Sequence, residues 1–324
     1  MKIAVVIFAY KRYAHLSTLL GSLVANQADK DLDFFIFIDG PGFEDDEISV
    51  NKVIKVSSRF RDLIPNLTVH CETRNLGIRK QLENKGDFIF EKYESAIVLE
   101  EDLIVAPNFL KIMQSLLLRY QGSRTIGCIS GHYVPGNSRI AEYSLCELKY
   151  YGHNLAWGTW RNEWKQYRSL TSSDLLPLTK LSRWSMFNRR SSYPFSHKLA
   201  KEISRDGRSW AIRWYAFFYL KNKSTIFPSK NLVIHTGTDS QATSYKFNSF
   251  DPLLAHLDIE SDEIEQRILE SSFFIDVEHK FQEYLKRASG TNWFKAGIVH
   301  FLLSLNLQEI FDRKELRKLQ KYSN

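Results

Sequence analysis

The sequence predicts an α/β fold built on a mostly parallel sheet flanked by helices, and three observations carry that prediction. Strand-length apolar runs alternate with segments of helical period over about the first 130 residues. The run Ala96–Leu99 stops abruptly at three adjacent carboxylates, Glu100, Glu101 and Asp102. From Tyr150 onward the texture changes to aromatic-rich segments, which suits a second core.

Taken in order, Lys2–Ala9 is a continuous apolar run suited to a strand covered on both faces, and Lys11–Val24 follows with Leu16, Leu19, Leu20 and Leu23 at helical spacing. Phe34–Ile38 repeats the strand pattern and ends in Asp39, Gly40, Pro41 and Gly42, a turn that puts a carboxylate at a strand's carboxyl end. Ile48–Phe60 reads as the next helix. Leu67–Cys71 is a third strand, leading to Gly77, which can take backbone angles closed to other residues, and to Arg79, expected to face outward at the same edge. Ala96–Leu99 is the fourth strand and Pro107–Tyr120 an amphipathic helix. Ile126–Ser130, ahead of Gly131 and His132, is a fifth strand. Such alternation implies right-handed crossovers.

In open α/β sheets ligands collect at the carboxyl ends of the strands, and here that edge gathers Tyr10, Asp39, Arg79, Asp102 and His132. Three adjacent acids repel one another and lose hydration unless a cation or a hydrogen-bond network offsets their charge. A divalent ion held by one or two carboxylates and completed by substrate phosphates fits; a solvated acidic turn ahead of a helix is the plainer alternative. No G-x-G-x-x-G follows the first strand and no Walker A sequence occurs, which counts against dinucleotide redox enzymes and P-loop NTPases.

The 324 residues include 44 Lys and Arg against 37 Asp and Glu, a net charge of +7. That balance suits phosphate-bearing or membrane-surface partners. It is diffuse, without an arginine-rich block, so no nucleic-acid partner is expected. Cys71, Cys128 and Cys146 are odd in number and lack CxxC spacing, which favours a reducing, cytoplasmic setting over a disulfide framework or a zinc site. The opening MKIAVVIFAY lacks the length and cleavage site of a signal peptide and reads as a core strand.

Trp157, Trp160, Trp164, Trp210 and Trp214 either fill the second core or offer a platform on which saccharide C–H faces stack. Beyond them, 251–324 reads as a helical extension: Glu260–Glu270 is polar and amphipathic, and Phe273–Leu285 has apolar spacing. Trp293–Leu307 is interrupted by Lys295, His300, Ser304 and Asn306 and falls short of a membrane span. With the basic flank of Arg313, Lys314, Arg317, Lys318 and Lys321 it suits peripheral contact with anionic lipid, or equally a terminal helix with a solvated basic face.

With those residues located, the chain resembles the GT-A glycosyltransferases, and within them the bacterial family 2-type sugar transferases and the N-acetylglucosaminyltransferase I-like family. VVIFAYKR is similar to their first strand and nucleotide loop, IDG at Ile38–Gly40 to their acidic strand end, VLEEDLIVAPNFL to their E-D-D segment, and ISGHY to the strand after it. AWGTWRNEW and SWAIRWY look like acceptor-side segments. The resemblance implies a GT-A (Rossmann-like) domain over residues 1–250, with a nucleotide-binding half at 1–132 and an acceptor-binding half at 133–250. It implies a hexosyl- or N-acetylhexosaminyltransferase using a nucleotide diphosphate sugar, a UDP-sugar, and a glycan or lipid-linked polysaccharide acceptor, with inversion. Asp102 would hold Mn2+ or Mg2+, approached by His235, and Glu101 would face the donor ribose or sugar. Asp39 would bind the uracil, and Ala9, Tyr10, Arg12, Arg79 and His132 would line the nucleotide site.

Two departures from the family stand out. Inverting members place a carboxylate base at or next to the tryptophan that is Trp210 here, where this chain has Arg208, Ser209, Ala211 and Ile212. Asp206 is the nearest substitute, followed by Asp239 and Glu163. The triplet also has Glu101 where the family has Asp. A sugar nucleotidyltransferase would need similar acids but brings a Gly-rich loop after its first strand, and Phe8–Arg12 has no glycine. A non-catalytic carbohydrate-binding protein is the remaining alternative.

Overall fold

The structure is a computed structural model and describes residues 2–26, 32–132, 144–179, 186–190, 192–204, 209–237, 268, 270 and 274–288. Strand β1 (Ile3–Ala9) is buried along its whole length because both of its faces are covered. Ile3, Val5, Ile7 and Ala9 pack with Leu16, Leu19, Leu20 and Leu23 of helix α1 (Tyr13–Ala25), while Ala4, Val6 and Phe8 pack with Leu82, Ile89 and Phe90 of α3 (Ile78–Lys92).

On one side β1 pairs in parallel with β2 (Leu32–Ile38), which pairs in parallel with β3 (Leu67–Cys71); helix α2 (Asp46–Arg59) connects those two strands. On the other side β1 pairs in parallel with β4 (Ser95–Glu100). The chain thus winds outward from β1 to β3, then returns to β4 on the opposite flank. That reversal opens a crevice beyond the carboxyl ends of β1 and β4.

After β4 come the short β5 (Leu103–Val105), α4 (Phe109–Arg119) and β6 (Ile126–Ser130). β6 does not adjoin β4. Between them lies β8 (Trp157–Trp160), antiparallel to both. All four residues of β8 are buried, so it shows no polar alternation and reads in the sequence only as an aromatic segment. The sheet continues through β9 (Ser224–Pro228), β7 (Leu145–Lys149) and β11 (Phe274–Asp276), giving nine strands in the order β11-β7-β9-β6-β8-β4-β1-β2-β3. Five of its eight pairings are parallel. The expected α/β sheet, mostly parallel with helices on both faces, is therefore what the chain adopts. A separate two-stranded sheet joins β5 to β10 (Val233–His235).

The second half adds α5 (Arg161–Arg168), α6 (Ser172–Leu175), α7 (Phe195–Ser204), α8 (Trp210–Leu220) and α9 (Glu278–Ala288). Helical spacing was expected from Phe273 to Leu285, but Phe274–Asp276 forms the sheet-edge strand β11 and the helix begins only at Glu278. A short apolar run does not distinguish the two, and pairing with β7 decides it. The saccharide-platform alternative for the tryptophans is corrected as well. Trp157, Trp160, Trp164, Trp210 and Trp214 are all buried, and Trp157 stacks on Trp210 at 5.4 Å between ring centroids. They fill the core.

Among the described residues no helix is long and apolar enough to cross a membrane. Most of Glu260–Glu270, all of Trp293–Leu307 and the basic tail lie outside the described residues.

Candidate functional site

The crevice between β1 and β4 is built by backbone first. The Glu101 N–H donates to Phe8 O at 3.0 Å and the Asp39 N–H to Ala9 O at 2.9 Å, so the segments leaving β1, β2 and β4 are tied side by side. Side chains then cross the gap. The Tyr10 N–H donates to Glu101 Oε2 at 2.7 Å, Arg12 Nε to Glu101 Oε1 at 2.8 Å, and Arg12 Nη2 to Asp102 Oδ2 at 2.7 Å.

The small sheet brings in the fourth partner. In the β10–β5 ladder His235 stands opposite Leu103, and His235 Nε2 lies 3.2 Å from Asp102 Oδ2. Thr236 fixes the backbone beneath: its N–H and Oγ1 donate to Asp102 O at 2.8 and 3.0 Å. At Gly237 a Cβ would overlap Asp102 Oδ2 and lie 3.0 Å from Arg12 Nη1, so only glycine lets the chain cover this pair so closely. The predicted Arg12, Glu101, Asp102 and His235 are therefore brought together.

The electrostatics divide the acids. Loss of hydration alone would raise Asp102, but the bond from His235 and the charges of His235 and Arg12 outweigh it and bring the carboxyl down to about 2. Loss of hydration, and then the neighbouring Asp102 charge, push Glu100 up to about 7. His132, at the end of β6, is held well below its ordinary value by burial, with His153 and His235 adding to the effect, so its ring is neutral. His132 and His153 stand 5.4 Å apart between ring centroids.

Other predicted residues serve the frame of the site. Asp39 is buried: Oδ1 accepts from the Gly40 and Leu76 N–H groups at 3.0 and 2.8 Å, and Oδ2 from Gly77 N–H at 2.9 Å. Desolvation raises its carboxyl in spite of those bonds. The loop it closes runs into α3, and Gly77 enters that helix with φ at 77°. The Tyr10 phenol donates to Asp46 Oδ2 at 2.5 Å and accepts from Gly42 N–H at 3.1 Å; burial and the Asp46 bond push it up to about 12.

Arg79 does not face outward. Its Nη1 meets Glu202 Oε1 of α7 at 2.9 Å, and Glu202 Oε2 accepts from Ser209 N–H at 2.9 Å, just ahead of Trp210. Glu202 is the residue the sequence did not reveal, because nothing in the local pattern of α7 marks a buried acid. The pair joins helix α3 to the start of α8.

Glu163 lies away from the acids. β8 runs antiparallel to β4 with Trp160 opposite Ser95, so α5 starts at the amino-terminal edge of β4, the end away from the acids. There Glu163 Oε1 is held by Lys223 Nζ at 2.9 Å, both groups being buried. Asp206 and Asp239 lie outside the described residues.

Among the described residues no group of three or more His, Cys, Asp or Glu forms a ready metal cage. Asp102 Oδ1 is nonetheless buried with no hydrogen-bond partner among the described residues, as is His132 Nδ1. A buried carboxylate oxygen left without a donor is costly unless a cation meets it. The donor set fits a hard divalent ion that Asp102 would hold and that phosphate oxygens would complete.

No protein-family model matches the chain, and no curated protein sequence matches it. Some solved structures are similar. The crystal structure of S. aureus TarS 1-349 has 13% identity and a TM-score of 0.44 over 73% of this chain and 61% of that one. The same protein in complex with UDP gives 13%, 0.43, 72% and 60%. The mannosyltransferase PcManGT from Pyrobaculum calidifontis, in complex with GDP-Man and Mn2+, has 15% identity and a TM-score of 0.39 over 68% of this chain and 69% of that one. The chain thus spans about 60% of the TarS 1-349 chain that it matches. Its function has to be read from the site itself.

Proposed function

We propose that the chain is a glycosyltransferase that moves a hexosyl or N-acetylhexosaminyl unit from a nucleotide diphosphate sugar, a UDP-sugar, to a glycan or lipid-linked polysaccharide acceptor with inversion. The observation that carries the reading is Asp102 itself, an ionised and buried carboxylate at the β1/β4 reversal with one oxygen bound by Arg12 and His235 and the other without a hydrogen-bond partner among the described residues. Departure of a nucleoside diphosphate builds negative charge, and cationic groups fixed at that place stabilise it.

Asp102, with His235 beside it, is the group to hold Mn2+ or Mg2+, which when bound would act as a Lewis acid on the diphosphate. Arg12 offers a planar fork suited to phosphate oxygens. The loop that Asp39 closes from Gly40 to Gly77 would receive the base, with Tyr10 fixed at its rim by Asp46. Glu101 places Arg12 and the Tyr10 backbone, since its two oxygens are taken by them. Trp157 pairs with Val98 and stacks on Trp210, which supports placing the start of α8 near the acidic edge and drawing the base from Asp206, four residues before Trp210, with Asp239, two residues after Gly237, as the second choice. A cytoplasmic location with the C-terminal segment resting on a membrane surface belongs to the same proposal.

The test is donor turnover with UDP-linked sugars, and with a GDP-linked sugar because a similar structure was solved with GDP-Man. Mn2+-dependent release of nucleoside diphosphate supports the reading. Release of pyrophosphate would indicate a nucleotidyltransferase, and no turnover above background a binding protein.

A further inference from the structure

The acidic pair already carries a cation. Glu101 and Asp102 are each 5% exposed, and the Arg12 guanidinium bridges them with two separate N–H groups at 2.8 and 2.7 Å. An ion that engages Asp102 while Arg12 stays in place would set two cationic groups against one carboxylate, with the Gly237 backbone closing over the same spot.

Resting on the transferase reading above, we propose that Arg12 is the resident counter-ion of Glu101 and Asp102, released from Asp102 to the donor's diphosphate when a divalent ion binds. Ion and nucleoside diphosphate then bind cooperatively.

Each half of the exchange is unfavourable alone. Without a diphosphate, Arg12 has to give up a buried carboxylate for water, which weakens the ion's hold on the free protein. Without an ion, an Arg12 that turned to a phosphate would leave Asp102 with His235 as its remaining cationic partner and would strip Glu101 of its guanidinium bond, both acids staying buried. With both present, Asp102 keeps a positive partner and the guanidinium fork gains phosphate oxygens, its preferred bidentate acceptor. Arg12 is also the N-cap residue of α1, whose first turn carries no acid and, among the described residues, no side-chain cap hydrogen bond, so a phosphate drawn to Arg12 would approach the positive end of that helix. Asp102 Oδ1, buried and without a hydrogen-bond partner among the described residues, is the second oxygen that would meet the ion. By linkage the ion and the diphosphate must raise each other's affinity by the same factor.

The experiment measures Mn2+ affinity by electron paramagnetic resonance of free Mn2+, with and without saturating UDP or GDP, for the wild type, Arg12→Met and Arg12→Lys. The inference expects the nucleoside diphosphate to tighten Mn2+ binding to the wild type by about tenfold or more, a usual size for such coupling. Arg12→Met should bind Mn2+ alone about fivefold or more tighter than the wild type, and the gain from UDP should shrink below about threefold. Arg12→Lys, which keeps the charge and loses the fork, should fall between and carries the test if Arg12→Met does not fold. Wild-type coupling that neither variant alters would overturn the role given to Arg12 and leave the transferase reading standing. If the wild type bound neither Mn2+ nor nucleoside diphosphate, both would fall.

Discussion

Arg12 and Asp102, 90 positions apart in the sequence, meet at 2.7 Å between Nη2 and Oδ2 in the crevice where the sheet reverses its winding. Because Asp102 is brought down to about 2, below the usual carboxylate range, the contact is also a statement about stability. A depressed folded-state value contributes stability that is fully present above the unfolded value near 4 and is lost as the pH falls toward 2. Urea unfolding from pH 6 down to pH 2.5 should show this acid limb, and Asp102→Asn should flatten it. An unchanged limb in the variant would count against the pairing.

Glu100 behaves in the opposite sense. Its folded-state carboxyl is pushed up to about 7, so between about 4.5 and 7 the folded chain retains a proton that the unfolded chain has lost, and stability declines as the pH rises through that window. Glu100→Gln should therefore raise the metal-free Tm at pH 8 by about 2–4 °C and change it little at pH 4.5. Scanning calorimetry at the two pH values checks it.

Gly237→Ala tests the cover over the acidic pair. The added methyl would overlap Asp102 Oδ2, and the crowding should cost about 1–3 kcal/mol and weaken Mn2+ binding together with stability. A substitution that left both unchanged would show that the Gly237 backbone does not cover the pair.

Glu202 links the two halves of the chain at the same edge. Glu202→Ala removes an acceptor for Ser209 N–H and a partner for Arg79, and should cost about 1–3 kcal/mol in urea unfolding. Donor KM should rise if the link also holds the loop that Asp39 closes.

Much of the fold was legible because the early strands end at turns. Leu67–Cys71 and Ile126–Ser130 have the expected bounds, and the run Lys2–Ala9, which reads as a strand covered on both faces, forms one from Ile3 to Ala9. β8 was missed because Trp157–Trp160 is buried throughout, and β11 because Phe274–Asp276 lies inside a run whose spacing also suits a helix. At the candidate site, the triplet and the first strand's exit loop pointed to the edge where Arg12, Glu101, Asp102 and His235 meet. What sequence could not give was the pairing: that Arg12 lies between two acids, that the Asp39 oxygens are taken by backbone N–H groups, and that Arg79 turns to a buried Glu202. Such contacts join residues from separate elements and leave no local pattern.

In the proposed function Asp102 anchors a cation-assisted nucleotide-sugar site. The most direct test is the Tm of the wild type and Asp102→Asn with a UDP- or GDP-sugar, each with and without Mn2+, since a ligand specific to the folded state raises Tm by mass action. At least one donor should stabilise the wild type only when Mn2+ is present and leave Asp102→Asn unmoved. An Mn2+-dependent shift of equal size in both proteins would contradict it.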